Sequence, residues 1–229
     1  MMEPGQYQRN HEAISKADQA ILVEKRVLIA GCGGLGGYVI ENLGRVGLGH
    51  LRLVDGDCFE ESNLNRQLLS SHMNLGRPKV LAAKQRMQAV NPNIEVEIFQ
   101  TRITGENALE LMRGCDLVVD CLDNIPSRKA LQAACEEASL PLVHGAVAGW
   151  RGQVCLILPE EKLLDKLYPG QEVEHGEEAR QGTLSFTAAT IGSIQASLAI
   201  KQLLGKSTKR KQLLLIDLQE GLFQTIDLD

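Results

Sequence analysis

Residues 26–39 read RVLIAGCGGLGGYV, and this stretch decides the fold. Its first five residues form a short apolar run with β-branched side chains, which is typical of a strand buried on both faces. The pattern Gly31-x-Gly33-x-x-Gly36 follows, and residues 38–46 are predicted to form a helix. Glycines allow a tight turn and a close approach of phosphates to the unpaired N–H groups of a helix start. The stretch therefore predicts a nucleotide-binding loop.

The alternation of strands and helices continues beyond this stretch. Apolar and β-branched runs predict strands at 50–54, 94–99, 117–121, 141–147, 153–158, 213–216 and 223–226, and helices at 79–90, 108–112, 127–139 and 184–204. Strands that alternate with helices in this way form mostly parallel sheets, because the crossover helices pack on the faces of the sheet. We therefore predict an α/β fold with a Rossmann-like, mostly parallel sheet, helices on both faces, a long crossover loop and late strands.

One stretch breaks the alternation. Residues 159–182 are acidic and contain several glycines and prolines, and they are predicted to form an irregular crossover loop. A connection this long inside a compact domain is uncommon and tends to be functional. With residues 1–25 as an N-terminal helical arm, the pattern predicts a single domain over residues 1–229.

The composition argues against several classes of function. Of the 229 residues, 44% are hydrophobic, and the net charge of −5 with a pI near 5.6 disfavours a nucleic-acid-binding surface. The N-terminus has no basic segment followed by an apolar stretch, and no window approaches the ~18 consecutive apolar residues of a membrane helix. We expect a cytoplasmic protein with no nucleic-acid partner and no membrane partner.

Six cysteines occur, at positions 32, 58, 115, 121, 135 and 155. No two of them have the Cys-x-x-Cys spacing that is typical of zinc sites, so no zinc is expected. In a cytoplasmic protein such cysteines are reduced, and we expect most of them to be buried.

A carboxylate follows the second predicted strand. Asp55 stands nineteen residues after Gly36, where it can accept hydrogen bonds from ribose hydroxyls, and Asp57 can share that task. Most proteins with this glycine pattern bind NAD or FAD. These residues alone therefore predict only a mononucleotide or dinucleotide site.

Two cations and a further carboxylate narrow the chemistry. Arg66, Lys79 and Asp123 lie in connections that can converge on one crevice, because ligands in open α/β sheets bind beyond the carboxyl ends of the strands. Arg66 can bind phosphate oxygens through two N–H groups, and Lys79 can act as a point charge. Asp123 can hold Mg²⁺ together with substrate phosphates. Such a set suits attack at a phosphorus atom, where charge develops on oxygen, better than hydride transfer.

The same residues also have structural interpretations. Arg66 can form a surface salt bridge, and Asp123 with Asn124 can cap the helix that follows. Lys79 opens a helix, where a cation is unfavourable, so an anion is expected near it. His144, in the predicted strand PLVHGAV, is expected to be a core or site-edge residue rather than a base.

Several stretches in one order carry a resemblance to a known family. RVLIAGCGGLGGYV, LVDGDCFEESNLNRQ, LGRPKV, VVDCLDNIPSR and PLVHGAVAGWRGQV span residues 26–154, and GSIQASLAIKQLLG extends the match toward the C-terminus. Together they resemble the ThiF/MoeB/HesA family and the adenylation domain of ubiquitin-activating enzymes. NLNRQ combined with PKV and DCLDN is highly specific for this family, whereas the glycine loop alone is not.

The resemblance implies an ATP-dependent adenylyltransferase. In the family, the C-terminal Gly-Gly carboxylate of a ubiquitin-like sulfur carrier protein attacks the α-phosphate of ATP, which gives an acyl-adenylate and pyrophosphate for thiamine, molybdopterin or related cofactor synthesis. By this resemblance the ATP loop would comprise Gly31, Gly33, Gly34 and Gly36, with Asp55 at the ribose. Asn63, Arg66, Gln67 and Lys79 would meet the phosphates, and Asp123 would bind Mg²⁺ and organise the α-phosphate. Asn124, beside Asp123, is a further candidate for nucleotide binding.

The resemblance also implies a homodimer. Tyr7-Gln8-Arg9 is similar to the family's N-terminal Tyr-x-Arg element, whose arginine reaches into the partner subunit's site. Arg9 is therefore a candidate catalytic residue that is donated in trans.

Two features depart from the family pattern. Sulfur-transfer members usually carry paired Cys-x-x-Cys zinc sites, and many carry a cysteine in the crossover loop, whereas residues 159–182 contain none. We therefore expect no covalent thioester between enzyme and carrier. The acyl-adenylate would instead be released to a separate sulfur donor.

Three other functions are open. A tRNA-modifying dehydratase of the same superfamily would adenylate a carboxylate on threonylcarbamoyladenosine, but the acidic charge and the DCLDN and HGAVAGWRGQV stretches disfavour it. An NAD-dependent oxidoreductase would use the glycine loop and Asp55 and leave the other charged residues idle. A non-catalytic scaffold would not need an intact phosphate-binding set.

Overall fold

Within the residues that the structure describes, the fold is organised around one eight-stranded sheet. The structure is a computed structural model that describes residues 5–10, 12–170, 178–206 and 210–228. The strands are β1 (Arg26–Ala30), β2 (His50–Val54), β3 (Glu95–Phe99), β4 (Leu117–Asp120), β5 (Leu142–Ala148), β6 (Arg151–Ile157), β7 (Gln212–Asp217) and β8 (Leu222–Asp227). Their order across the sheet is β3-β2-β1-β4-β5-β6-β7-β8.

The direction of the strands divides the sheet into two parts. Strands β1 to β5 pair in parallel, and β6, β7 and β8 continue the sheet in antiparallel pairs. The predicted mostly parallel sheet with late strands is therefore confirmed. The chain runs outward from β1 to β3 and returns to β4 on the other side of β1. Ligands of open α/β sheets bind at such a reversal, beyond the carboxyl ends of the strands.

Helices cover both faces of the sheet. They are α1 (Lys16–Glu24), α2 (Gly34–Val46), α3 (Lys79–Val90), α4 (Ala108–Met112), α5 (Ile125–Glu137), α6 (Leu163–Leu167), α7 (Glu178–Gln181) and α8 (Ser185–Leu203). Val27 and Ile29 of β1 pack in a cluster with side chains of α2, α3 and α8, whereas Leu28 and Ala30 pack with α4, α5 and α6. Successive residues of a strand point to opposite faces, so β1 is buried from both sides.

The helix after the glycine loop begins earlier than predicted. It starts at Gly34, not at Tyr38, although glycine is a poor helix former. A Cβ atom added to Gly36 would lie 1.9 Å from the carbonyl oxygen of Gly31, so the first turn of α2 must pack against the loop and only glycine permits this. Tertiary packing here outweighs helix propensity. Helix α5 likewise begins at Ile125, two residues before the predicted start.

The prediction of an irregular crossover loop at 159–182 is wrong in part. The structure contains α6 and α7 within this stretch, while residues 171–177 lie outside the described residues. Leu163 and Leu164 are fully buried in the cluster that also holds side chains of α4 and α5. A helix of five residues is not stable by itself, so this burial supplies the tertiary contact that it requires.

The N-terminal arm packs at the end of α2 that is distant from the glycine loop. It consists of a 3-10 helix, Gly5–Asn10, followed by α1. Tyr7 is buried and its hydroxyl accepts a hydrogen bond from Nδ2 of Asn91, at 2.8 Å. Asn10 donates a hydrogen bond to the carbonyl of Val46 at the last turn of α2. Among the described residues, no helix combines the length and the apolar character that crossing a membrane requires.

Candidate active site

The glycine loop joins the end of β1 to the start of α2 and is closely packed against the end of β4. Gly31 has a φ of +95°, and a Cβ atom added to it would lie 2.6 Å from the carbonyl oxygen of Cys121. Gly33 is the N-cap residue of α2 and brings no side chain to cap it. The first N–H groups of this helix can therefore donate to an anion.

Asp55 closes the loop from the end of β2. Its Oδ2 accepts a hydrogen bond from the backbone N–H of Cys32 at 2.7 Å, and its Oδ1 accepts one from the N–H of Asp57 at 2.8 Å. Burial raises the pKa of the Asp55 carboxyl, and the ammonium of Lys79 with the two backbone N–H groups opposes this rise. Each carboxylate oxygen has two lone pairs, so both oxygens can still accept from ribose hydroxyls.

Lys79 lies next to this carboxylate, at the first position of α3. It is buried, and its ammonium lies 3.3 Å from Oδ2 of Asp57. A guanidinium nitrogen of Arg102, from the loop after β3, lies 3.5 Å from Oδ1 of the same residue. An anion is expected near Lys79, because a cation at a helix start is unfavourable, and Asp57 is that anion. Sequence reasoning missed Arg102, because no motif marks it.

Arg66 and Gln67 lie directly against the glycine loop. A Cβ atom added to Gly34 would lie 4.0 Å from Cγ of Arg66, and one added to Gly33 would lie 3.4 Å from Nε2 of Gln67. The guanidinium of Arg66 donates to the carbonyl of Ser62 at 2.8 Å. Among the described residues its contacts are with the neighbouring polar groups of Ser62 and Asn65 and not with an acidic side chain, which leaves its full charge available to a phosphate.

Asn63 holds the turn that presents these two side chains. It is buried, and its Oδ1 accepts a hydrogen bond from the N–H of Glu60 at 3.0 Å. Its carbonyl accepts from the N–H groups of both Arg66 and Gln67. In this geometry Asn63 orients the turn formed by NLNRQ. A contact between its side chain and a phosphate stays a prediction.

Asp123 follows β4, the strand beside β1. Its side chain is exposed, and its Oδ1 accepts a hydrogen bond from Nδ2 of Asn124 at 3.3 Å. Asn124 also caps α5, because its Oδ1 accepts from the N–H of Ser127 at 2.9 Å. The capping interpretation therefore holds for Asn124, while the carboxylate of Asp123 is left facing solvent beside the loop.

The geometry fits a nucleotide with its phosphates at the glycine loop. Gln67 Oε1 is buried and has no hydrogen-bond partner among the described residues, and a buried polar atom of this kind is costly unless a ligand or water meets it. The described residues contain no group of three or more His, Cys, Asp or Glu side chains that could hold a metal. Mg²⁺ needs no such cage, since it commonly takes one or two carboxylates together with substrate phosphates.

Arg9 lies far from this site in its own chain. It is exposed on the N-terminal 3-10 helix, which packs at the C-terminal end of α2. The glycine loop is at the other end of this thirteen-residue helix, so the two are separated by a helix length of about 20 Å. Arg9 therefore does not reach the site of its own chain.

Most of the thiols are buried, which makes them poor nucleophiles. Burial raises the pKa of Cys32 in the glycine loop and of Cys121 behind it. Burial also raises the pKa of Cys115 to about 11 and that of Cys135 to about 12. The thiolate is the reactive form, so these side chains are protonated at neutral pH. Cys58 is the exposed cysteine, and it lies in the loop after Asp55.

Sequence reasoning also missed a buried polar network behind Asp123. Asp120 and His144 are both fully buried, with 2.7 Å between Oδ2 of Asp120 and Nδ1 of His144. Nε2 of His144 lies 3.2 Å from the hydroxyl of Tyr168. The expectation that His144 is a core or site-edge residue is confirmed, but its partners were not foreseen. The sequence offered one signal of this network: Asp120, the first acid of DCLDN, lies at the end of a buried strand, where a carboxylate needs hydrogen-bond partners.

Comparison with known proteins agrees with this geometry. The sequence matches the ThiF family over residues 7–229. A sulfur carrier protein adenylyltransferase of Thermus thermophilus is 38% identical over 219 residues, which cover 91% of this chain and 80% of that protein. A SAMP-activating enzyme E1 of Haloferax volcanii is 35% identical over 219 residues, which cover 94% of this chain and 81% of that protein.

A solved structure supports the fold. The tRNA N6-threonylcarbamoyladenosine dehydratase of E. coli in complex with ATP aligns with a TM-score of 0.74 and 21% identity, over 87% of this chain and 94% of that one. At this level of identity the likeness shows the fold alone.

Proposed function

The chain belongs to the ThiF family, and from this premise we propose that it is an ATP-dependent adenylyltransferase acting on a ubiquitin-like sulfur carrier protein. In the reaction, a carboxylate oxygen of the carrier's C-terminal Gly-Gly forms a bond to the α-phosphorus of ATP. The bond between that phosphorus and the oxygen bridging to the β-phosphate breaks. The products are the acyl-adenylate and pyrophosphate. A carboxylate is ionised at neutral pH, so the attack needs no general base.

One observation carries the proposal. The side chains of Arg66 and Gln67 lie against Gly34 and Gly33, at the start of a helix whose first N–H groups face the same space. Positive charge and backbone donors at one point suit a triphosphate. Hydride transfer to NAD cleaves no phosphate bond, so it needs no cation to neutralise charge that develops on a leaving pyrophosphate.

Each residue of the site has a role in this proposal. Asp55 holds the ribose hydroxyls, and Asp57 assists it at the edge of the ribose. Arg66, Gln67 and Lys79 bind phosphate oxygens and balance the charge that develops on them as pyrophosphate leaves. Asn63 orients the first two of these side chains through its backbone carbonyl.

Asp123 is the residue proposed to hold Mg²⁺, with Asn124 fixing its carboxylate from the start of α5. When bound, Mg²⁺ would neutralise charge on the phosphates. The fit rests on one exposed carboxylate at the crevice between β1 and β4, which is what a phosphate-bound Mg²⁺ requires from a protein.

The wider setting of the reaction is also proposed. We infer a cytoplasmic homodimer of one domain per chain, in which Arg9 reaches the partner subunit's site. Arg9 is about a helix length from its own site, which supports a role in trans. The raised pKa values of the buried thiols support release of the acyl-adenylate to a separate sulfur donor, for thiamine, molybdopterin or related cofactor synthesis.

The experiment is carrier-dependent ATP–pyrophosphate exchange with purified protein, Mg²⁺ and candidate carriers that end in Gly-Gly, each assayed separately. Exchange that requires one carrier and is lost when its last glycine is deleted supports the reaction class and identifies the partner. If none of the carriers supports exchange although the protein binds ATP measurably, the proposal is contradicted.

Two controls address the alternatives. A gel shift with total tRNA, followed by an assay for cyclic threonylcarbamoyladenosine, tests the dehydratase, which the 34–38% identity to carrier adenylyltransferases does not favour. NADH fluorescence titration tests the oxidoreductase. Neither ligand is expected to bind at concentrations where ATP does.

A further inference from the structure

The loop that presents Asp123 is fixed by side chains that do not reach the crevice. Oδ1 of Asp120 accepts a hydrogen bond from the N–H of Leu122 at 3.0 Å. Arg128, on α5, donates two hydrogen bonds to the carbonyl of Leu122, at 2.7 and 3.1 Å. The backbone N–H and the backbone carbonyl of Leu122, the residue immediately before Asp123, are thus both held in place.

The carboxylate of Asp120 is itself oriented by His144. Its second oxygen, Oδ2, lies 2.7 Å from Nδ1 of His144, and neither side chain has any exposed surface. A buried carboxylate accepts hydrogen bonds and cannot donate them when ionised, so the proton of this bond lies on Nδ1. Because one oxygen is committed to His144, the other is directed at the N–H of Leu122.

The other side of the imidazole is also satisfied. The hydroxyl of Tyr168 lies 3.2 Å from Nε2 of His144, and it accepts a hydrogen bond from Nε2 of Gln153 at 2.7 Å. The tyrosine hydroxyl also accepts a hydrogen bond from Nη1 of Arg128 at 3.4 Å, and Nε2 of Gln153 lies 3.4 Å from Nε2 of His144. With the imidazole proton on Nδ1, Nε2 of His144 is an acceptor for these donors. These contacts connect Gln153 and Tyr168 through His144 to Asp120.

We propose that His144, held by Tyr168, is a positioning residue for the reaction, because it orients Asp120 and thereby fixes the loop that carries the Asp123 carboxylate. The proposal rests on the adenylyltransferase function proposed above. Groups behind a ligand-bearing residue set its direction, and their loss typically lowers activity about 10–100-fold. A neutral imidazole suits this role, and burial, outweighing the adjacent carboxylate, lowers the pKa of His144.

Two substitutions at one position separate positioning from packing. The amide nitrogen of asparagine reaches the place of Nδ1, so His144→Asn keeps a donor to Asp120. The amide of glutamine reaches the place of Nε2, so His144→Gln keeps a partner for Tyr168 and loses the donor to Asp120. Asparagine leaves the larger cavity, so a role in packing alone would make His144→Asn the worse variant in both stability and activity.

The readout is kcat and KM in carrier-dependent ATP–pyrophosphate exchange, with melting temperature and the half-saturating Mg²⁺ concentration measured alongside. We expect His144→Asn to keep kcat within about threefold of wild type, and His144→Gln to lose about tenfold or more and need more Mg²⁺, with KM for the carrier unchanged. Equal kcat for the two variants, or a higher kcat for His144→Gln, overturns the proposal.

Tyr168→Phe carries the test if His144→Gln does not fold, since it removes one oxygen and keeps the ring against His144. A several-fold lower kcat is expected, with a lower melting temperature because the hydroxyl also accepts from Gln153 and Arg128, and wild-type kcat would overturn the role of Tyr168 in holding His144. Absence of exchange by the wild-type protein with every carrier would refute the proposed function instead. ¹⁵N NMR of the His144 imidazole would then still test the hydrogen bond from His144 to Asp120, because a proton on Nε2 rather than on Nδ1 contradicts that bond.

Discussion

The ammonium of Lys79 lies 3.3 Å from the carboxylate of Asp57, and the lysine side chain is only 9% exposed whereas the aspartate side chain is 49% exposed. A cation at the first position of a helix opposes the helix dipole, so this position needs an anion. Asp57 provides one from a half-exposed position. It can therefore yield the ammonium to a phosphate, which is a stronger anionic partner.

Lys79→Met should abolish most of the activity. The side chain keeps its apolar stem in the buried site and loses the charge, so kcat for exchange should fall about 100-fold or more, while the melting temperature stays near that of wild type. Lys84→Met on the same helix is the matched control and should turn over normally. Undiminished kcat in a folded Lys79→Met protein would remove Lys79 from the site.

Asp123→Ala should remove adenylation and leave the fold intact. Asp123 is exposed and makes its hydrogen bond with the neighbouring Asn124, so its loss costs the core nothing. The expected result is a loss of exchange of about 100-fold or more that extra Mg²⁺ restores only in part. Glu106→Ala, another exposed carboxylate, is the control. Normal turnover by Asp123→Ala would show that the assigned metal ligand is wrong.

The sequence predicted the sheet, the glycine loop and the residues around it, because strand burial and loop glycines are local patterns. It did not predict that α2 begins at Gly34, since the contact between Gly36 and the carbonyl of Gly31 is visible only in three dimensions. It also missed α6, whose stability comes from burial of Leu163 and Leu164 rather than from its own residues.

The buried network around His144 illustrates the same limit. Asp120, His144 and Tyr168 are separated in the chain by 24 residues at each step, and none lies in a recognisable pairwise motif. Hydrogen bonds between such residues depend on which strands are adjacent. Strands β4 and β5 pair in a register that places Asp120 beside His144, and this register makes their hydrogen bond possible.

Glu41 should make stability depend on pH. Burial alone would raise the pKa of its carboxyl, but hydrogen bonds and charge from Arg86 and Arg45 outweigh burial and hold the pKa below its usual value. A depressed pKa in the folded state adds stability above the unfolded value, near 4.5, and this stability is lost as the pH falls through the folded value.

Glu41→Gln should therefore lower the free energy of unfolding by about 1–2 kcal/mol at pH 7. The difference from wild type should shrink as the pH falls below 4.5. Urea unfolding at a series of pH values measures both quantities. A difference that is constant down to pH values where wild-type Glu41 is protonated would contradict the ion-pair assignment.

A cysteine-free protein should still form the acyl-adenylate. The reaction uses the carrier's carboxylate as nucleophile, and most of the thiols are buried and protonated. Cys58→Ser combined with alanine at the other five positions should retain exchange within about threefold of wild type, although each buried site costs about 1 kcal/mol of stability. If this variant unfolds, replacement in two groups of three serves the same purpose. Loss of exchange in a folded variant would mean that a cysteine takes part in adenylate formation, because a thioester could form only after the adenylate.

Mixing two inactive variants should restore activity if Arg9 acts in trans. Arg9→Ala lacks the donated arginine and Asp123→Ala lacks the metal ligand, so each homodimer should be inactive. In a mixed dimer, the subunit with Arg9→Ala keeps its own Asp123 and receives Arg9 from its partner, which completes one of the two sites. Random exchange makes half of the dimers mixed, so about a quarter of wild-type activity should return.

Recovery should require co-refolding or co-expression, because subunits must exchange. If Arg9→Ala is active by itself, or if mixed dimers isolated with two different affinity tags stay inactive, Arg9 does not act across the dimer.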